Sequence, residues 1–206
     1  MNMPLSRRSL AFLLGIGLVA AVPLGLVTGC QDENQPRSRV RIVQIMGAED
    51  SEDLAGSVFQ SDVLDAGQDG IPGTADDGVV EDELLVAVEN RPSSTSLVLE
   101  PDGPFGSVVI THYRVTFAIA GEQLDPVEGA LQLIVPTGSE RVAGIVAVTA
   151  LAKTQPPLST LAAIGGELFA TATLTLTGYE ETSEDEVSAS ASFQVHFADW
   201  AEEEDD

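Results

Sequence analysis

Between positions 65 and 78 the chain reads Asp65-Ala66-Gly67-Gln68-Asp69-Gly70-Ile71-Pro72-Gly73-Thr74-Ala75-Asp76-Asp77-Gly78. A hard cation such as Ca²⁺ takes about six to eight oxygens on a tightly curved backbone. Asp65, Asp69, Asp76 and Asp77 supply short, stiff carboxylates, and Gly67, Gly70, Gly73 and Gly78 permit the curvature. These four aspartates are the candidate calcium ligands. The same composition also fits a solvated hairpin loop, because Asp and Gly are the default residues of turns. Glu81, Asp82 and Glu83 follow closely, either as further oxygens or as a solvated strand end. The other distinctive side chain is Cys30, the sole cysteine, which leaves no disulfide to be made within the chain.

Counted from Asp65 as a calcium loop, the segment resembles an EF-hand at the first, fifth and sixth positions through Asp65, Asp69 and Gly70. It departs from that pattern with Gly67 at the third position and Asp76, not glutamate, at the twelfth. The flanks are also expected to be strands, where an EF-hand has helices. Asp/Gly-rich repeats of secreted calcium-binding proteins are similar too, but they come in series and this stretch is single.

Around Cys30 the pattern is one of export. Arg7 and Arg8 make a positive start, an apolar run follows from Leu10 to Leu26, and Thr28-Gly29 are the small residues of a cleavage point. Val27-Thr28-Gly29-Cys30 resembles the lipobox of bacterial lipoproteins. The resemblance covers only these first residues and implies that the Cys30 thiol receives a diacylglyceryl group and becomes the new N-terminus. The protein would then sit in the cell envelope, its membrane partner reached through lipid on Cys30 and its domain in water. Gln31 stands where an inner-membrane retention signal has aspartate, so the resemblance implies the outer membrane in a two-membrane cell; the extracellular face of the cytoplasmic membrane is the alternative. Ser6-Arg7-Arg8 also fits twin-arginine export. An uncleaved membrane anchor is the competing reading of the apolar run, against which Gly15, Gly17, Pro23 and Gly25 count.

The chain has 206 residues and a formal charge of −24, and loss of Arg7 and Arg8 with the leader leaves the remainder more acidic still. Binding to nucleic acid or an anionic lipid surface is disfavoured. The charge instead suits solubility, cation binding or a high-salt habitat, the last also matching Lys153 as the only lysine. No Gly-x-Ser-x-Gly elbow and no phosphate-cradling glycine loop occurs. His112 and His196 lie on polar faces of expected strands and meet only if those strands pair, with no evident third zinc ligand. No enzyme is expected. Aromatic residues, at 5%, are too few for an obvious carbohydrate platform.

The elements that must carry these residues are strands. In β-type alternation, Tyr113, Val115, Phe117 and Ile119 face one way, and His112, Arg114 and Thr116 the other. Leu168, Ala170, Ala172, Leu174 and Leu176 alternate with Phe169 and a run of threonines. Val187, Ala189, Ala191, Phe193, Val195 and Phe197 alternate with serines, Gln194 and His196. Shorter strands are expected over 40–46, 57–64, 84–89, 130–135 and 142–151, the last apolar on both sides and so placed centrally in a sheet. Pro156-Pro157 interrupts pairing, and 161–164 is read as a turn of helix over one end.

About eight strands with no long amphipathic helix predict an all-β fold, a single antiparallel β-sandwich of immunoglobulin or fibronectin type, with a β-barrel as the alternative. The expected organisation is a leader over 1–29, a polar tether over 30–38, the sandwich over 39–200 and an acidic tail over 201–206. The closing strand before Trp200 and the Pro156-Pro157-Leu158 joint resemble uncharacterised bacterial lipoproteins, a likeness that implies no activity. The functional expectation is a lipid-anchored binding or structural module of the envelope, with an envelope protein as candidate partner. A calcium-stabilised adhesin and a metal-dependent envelope hydrolase are the alternatives. The sequence leaves the oligomeric state open.

Overall fold

The computed structural model describes residues 37–47, 58–65, 67, 77–94 and 106–199. Within them lie β1 (Ser38–Gly47), β2 (Val58–Asp62), β3 (Asp82–Pro92), β4 (Val108–Ile119), β5 (Val127–Val135), β6 (Glu140–Val148), α1 (Ala150–Lys153), α2 (Leu158–Ile164), β7 (Glu167–Glu180) and β8 (Glu186–Ala198). Each expected strand is present, except that the one expected over 142–151 ends at Val148 and Ala150-Leu151 start α1; the short helix expected near 161–164 is α2.

The strands form two sheets. One has the order β1-β3-β6, the other β2-β8-β7-β4-β5, and the second curls into half a barrel. The result is an all-β, sandwich-like fold. All pairings are antiparallel except that of β2 with β8, which is parallel.

Alternation sets the faces. In β7 the side chains of Ala170, Ala172, Leu174 and Leu176 are buried, while the intervening threonines lie on the outer face. Cross-strand neighbours on that outer face are hydroxyls: Thr173 Oγ1 meets Ser192 Oγ at 3.0 Å and Thr175 Oγ1 meets Ser190 Oγ at 3.1 Å. Next along, the Gln194 carboxamide donates to Thr171 Oγ1 at 3.1 Å. Opposing hydroxyl pairs of this kind stabilise a solvated sheet face by a few tenths of a kcal/mol each, up to ~1.

Inside, Leu84, Val86 and Val88 of β3 pack with Val108, Ile110 and Val115 of β4, Leu174 and Leu176 of β7, and Phe197 of β8. Phe117 meets Phe197 edge to face, with ring centroids 6.1 Å apart, a favoured aromatic geometry. Tyr113 lies over its cross-strand partner Gly129, where any Cβ would collide with the ring. The Tyr113 hydroxyl reaches the opposite sheet and accepts the Val146 N–H at 3.3 Å.

That last contact bears on β6, whose expected central position is corrected. Among the described residues β6 is an edge strand, bonded to β3. Ile145 and Ala147 of its apolar run enter the core, but Val142 is 50% exposed. Low polarity on the second face therefore did not signal a second strand neighbour. The Tyr113 hydroxyl instead satisfies one free amide of the edge.

After β6 the chain leaves the sheet through two short helices. Thr149 caps α1, its hydroxyl accepting the Ala152 N–H at 3.1 Å. Pro156-Pro157 separates α1 from α2, and Leu158 of α2 is wholly buried in the core. No helix among the described residues is long and apolar enough to cross a membrane.

Candidate functional site

The Asp/Gly segment joins β2 in one sheet to β3 in the other, so its stem sits where the two sheets exchange the chain. A two-way backbone bridge closes that stem: Asp65 N–H to Gly78 O and Gly78 N–H to Asp65 O, both 2.9 Å. The Asp65 carboxylate accepts the Gly67 N–H at 2.8 Å, the local bond by which aspartate mimics a backbone turn. Asp65 and Asp77 therefore stand at the two sides of one clamped stem. Asp69, Asp76 and Cys30 lie outside the described residues, as does Trp200. Among the described residues no three His, Cys, Asp or Glu side chains converge as a metal-binding group.

Directly below the stem is a polar cluster that the sequence reading missed. Asp82, at the start of β3, accepts the Lys153 ammonium on Oδ1 at 2.6 Å and the Ser61 hydroxyl on Oδ2 at 2.6 Å. The Lys153 side chain is 2% exposed and that of Asp82 12%. Ser61 is fully buried. Three elements are thus tied at one point: β2 through Ser61, β3 through Asp82 and α1 through Lys153. A serine, a carboxylate and an amine suggest nucleophilic chemistry by type, but here the hydroxyl donates to the carboxylate and its side chain is buried. Asp82 is accordingly an ion-pair anchor, in contrast to the solvated strand end expected from the Glu81-Asp82-Glu83 run. One signal was available, since the only lysine of the chain directly follows the apolar stretch 142–152.

The histidines do not come together. His112 of β4 pairs with Thr177 of β7, whereas His196 of β8 pairs with Phe169 of β7. The eight positions between those β7 residues correspond to roughly 26 Å along the strand at ~3.3 Å per residue. His112 is exposed, as expected for its face. His196 is covered: its ring stacks on Phe169 with centroids 4.0 Å apart, its Nε2 is 3.2 Å from Glu167 Oε2, and its side chain is only 14% exposed.

At the other end of β3 from Asp82, buried oxygens collect around Gly106. Its carbonyl accepts from the Ser38 hydroxyl at 2.6 Å, Asn90 Nδ2 at 2.7 Å and the Thr137 hydroxyl at 2.8 Å. The Arg37 N–H donates to Glu180 Oε2 at 2.8 Å beside it. Asn90 and Glu180 are both completely buried. No motif announces this cluster, because its members are drawn from β1, β3, β7 and two turns. No family model matches this chain, and no curated protein matches it, so the chemistry rests on these side chains themselves.

Proposed function

We propose that this chain is a lipid-anchored module of the bacterial cell envelope, an immunoglobulin-like sandwich with a structural role and no catalytic one. The observation that carries the reading is the outer face of β7 and β8, clad in paired hydroxyls from Thr171 to Thr175 and from Ser190 to Gln194. Between the exposed rings of Phe169 and Tyr179, this hydroxyl-covered stretch of sheet is polar, which suits a spacer that remains solvated near a membrane. Among the described residues, Ser61 and Lys153, which join Asp82 in a cluster of reactive types, are buried.

The immunoglobulin assignment is supported by strand order. β1-β3-β6 facing β8-β7-β4-β5 corresponds to the division of strands A, B, E from G, F, C, C′ in such sandwiches. The lipid anchor rests on Val27-Thr28-Gly29-Cys30. Its test is metabolic labelling with radioactive palmitate: the wild-type protein takes up label and partitions into detergent, and Cys30→Ala does neither. An unlabelled wild-type protein in a lipidating host overturns the anchor.

A calcium-stabilised adhesin is the second reading, favoured by the clamp that brings Asp65 and Asp77 to one stem. It is tested by thermal unfolding in EDTA and then in calcium, with Asp69→Ala as control.

A further inference from the structure

We propose that the buried oxygens of Glu180 and Asn90 hold a monovalent alkali cation such as sodium, at a site separate from the Asp/Gly loop. The cluster is poor in donors and rich in acceptors. Ser38, Thr137 and both described bonds of Asn90 Nδ2 spend their hydrogens on carbonyls, three of them on Gly106 O and one on Val135 O at 2.9 Å. Asn90 Oδ1 and Glu180 Oε1 are then left as buried acceptors with no hydrogen-bond donor among the described residues. Glu180 has no exposed surface, its other oxygen takes only a backbone N–H, and no salt bridge among the described residues reaches it.

A buried carboxylate without a countercharge costs several kcal/mol, and buried charges in proteins are paired or bind cations. The two orphan oxygens share a frame. Asn90 Nδ2 and Ser38 Oγ both bond Gly106 O, the neighbouring Ser107 carbonyl accepts the Glu181 N–H at 2.8 Å, and Arg37 N–H bonds Glu180. One carboxylate with neutral amide and hydroxyl oxygens balances a single positive charge, whereas a divalent ion would leave an excess. A groove of about 330 Å³ is lined by Ser38, Ser93 and Glu186, Ser38 being the member of this frame that it reaches.

The test is thermal unfolding of the whole chain in sodium chloride and in choline chloride at matched ionic strength, which holds screening of the large negative charge constant. The expected result is a melting temperature higher by several degrees in sodium, rising saturably with its concentration. Asp77→Asn keeps the difference and Glu180→Gln loses it. Equal melting temperatures in the two salts overturn the proposal and leave water as the occupant; so does a sodium effect undiminished in a folded Glu180→Gln. If Glu180→Gln does not fold, ²³Na line broadening by the wild-type protein decides, with saturable broadening beyond that of choline-competed background as support and its absence as refutation.

Discussion

Lys153 and Asp82 are joined at 2.6 Å across 71 positions of sequence, the only lysine of the chain buried against a carboxylate that also receives the Ser61 hydroxyl. The pair pins α1 to the start of β3, immediately beneath the clamped loop. Removing one member of such a pair leaves the other buried and uncompensated. Lys153→Met is expected to lower unfolding free energy by about 3–5 kcal/mol. In urea denaturation, Lys153→Met/Asp82→Leu should recover much of that loss, since an apolar replacement of both partners removes the stranded charge. A single-variant cost below ~1 kcal/mol would show the pair to be solvated.

Gly129 is expected to accept no side chain while Tyr113 remains. Gly129→Ala places its methyl within the Tyr113 ring and should cost about 1–3 kcal/mol as overpacking. Tyr113→Val in the same chain relieves the clash, so the double variant should fall short of the sum of the two single losses in a denaturant cycle. Strict additivity would contradict the stacking.

Gly178 sits opposite the irregularity between Ile110 and His112, where a Cβ would run into the Val109 carbonyl and the Ile110 Cα. Backbone cannot swing aside as a flexible side chain does. Gly178→Ala is therefore expected to be more damaging than Gly129→Ala, read as a lower denaturation midpoint with unchanged slope.

Leu158 is the contact by which the short helix α2 reaches the core, and it is fully buried. Leu158→Ala is expected to cost about 2–5 kcal/mol. Leu151 of α1 and Ile164 of α2, 71% and 80% exposed, should tolerate alanine within ~0.5 kcal/mol. The contrast is measurable by thermal unfolding of the three variants side by side.

The sheets were legible wherever one side of a strand meets water. In β4, β7 and β8 the alternation of Val or Leu with Thr or Ser is the pleat itself, and the faces it predicts are the faces observed. β6 was misjudged as central because Val142 to Val148 lacks a polar face, although edge position depends on what lies beside the strand and not on its own residues. The Lys153–Asp82 pair and the Gly106 cluster were missed for a related reason. Both join residues from distant elements, and nothing local distinguishes Asp82 from Glu81 or Asn90 from a turn asparagine. Loop chemistry was readable only as composition: Asp65 does bracket a closed stem with Gly78, but its carboxylate bond to Gly67 serves the turn.

The parallel pairing of β2 with β8 also dictates an order of events. Val58 lies against Gln194 and Asp62 against Ala198, so β2 has no sheet neighbour until β8 has been made and has joined β7. Contacts of this separation raise contact order and slow folding from microseconds toward the millisecond-to-second range of β-sandwiches. β2 thus waits without its sheet neighbour while β3 to β7 are made, and the edge it completes is among the last parts of the sheet to close.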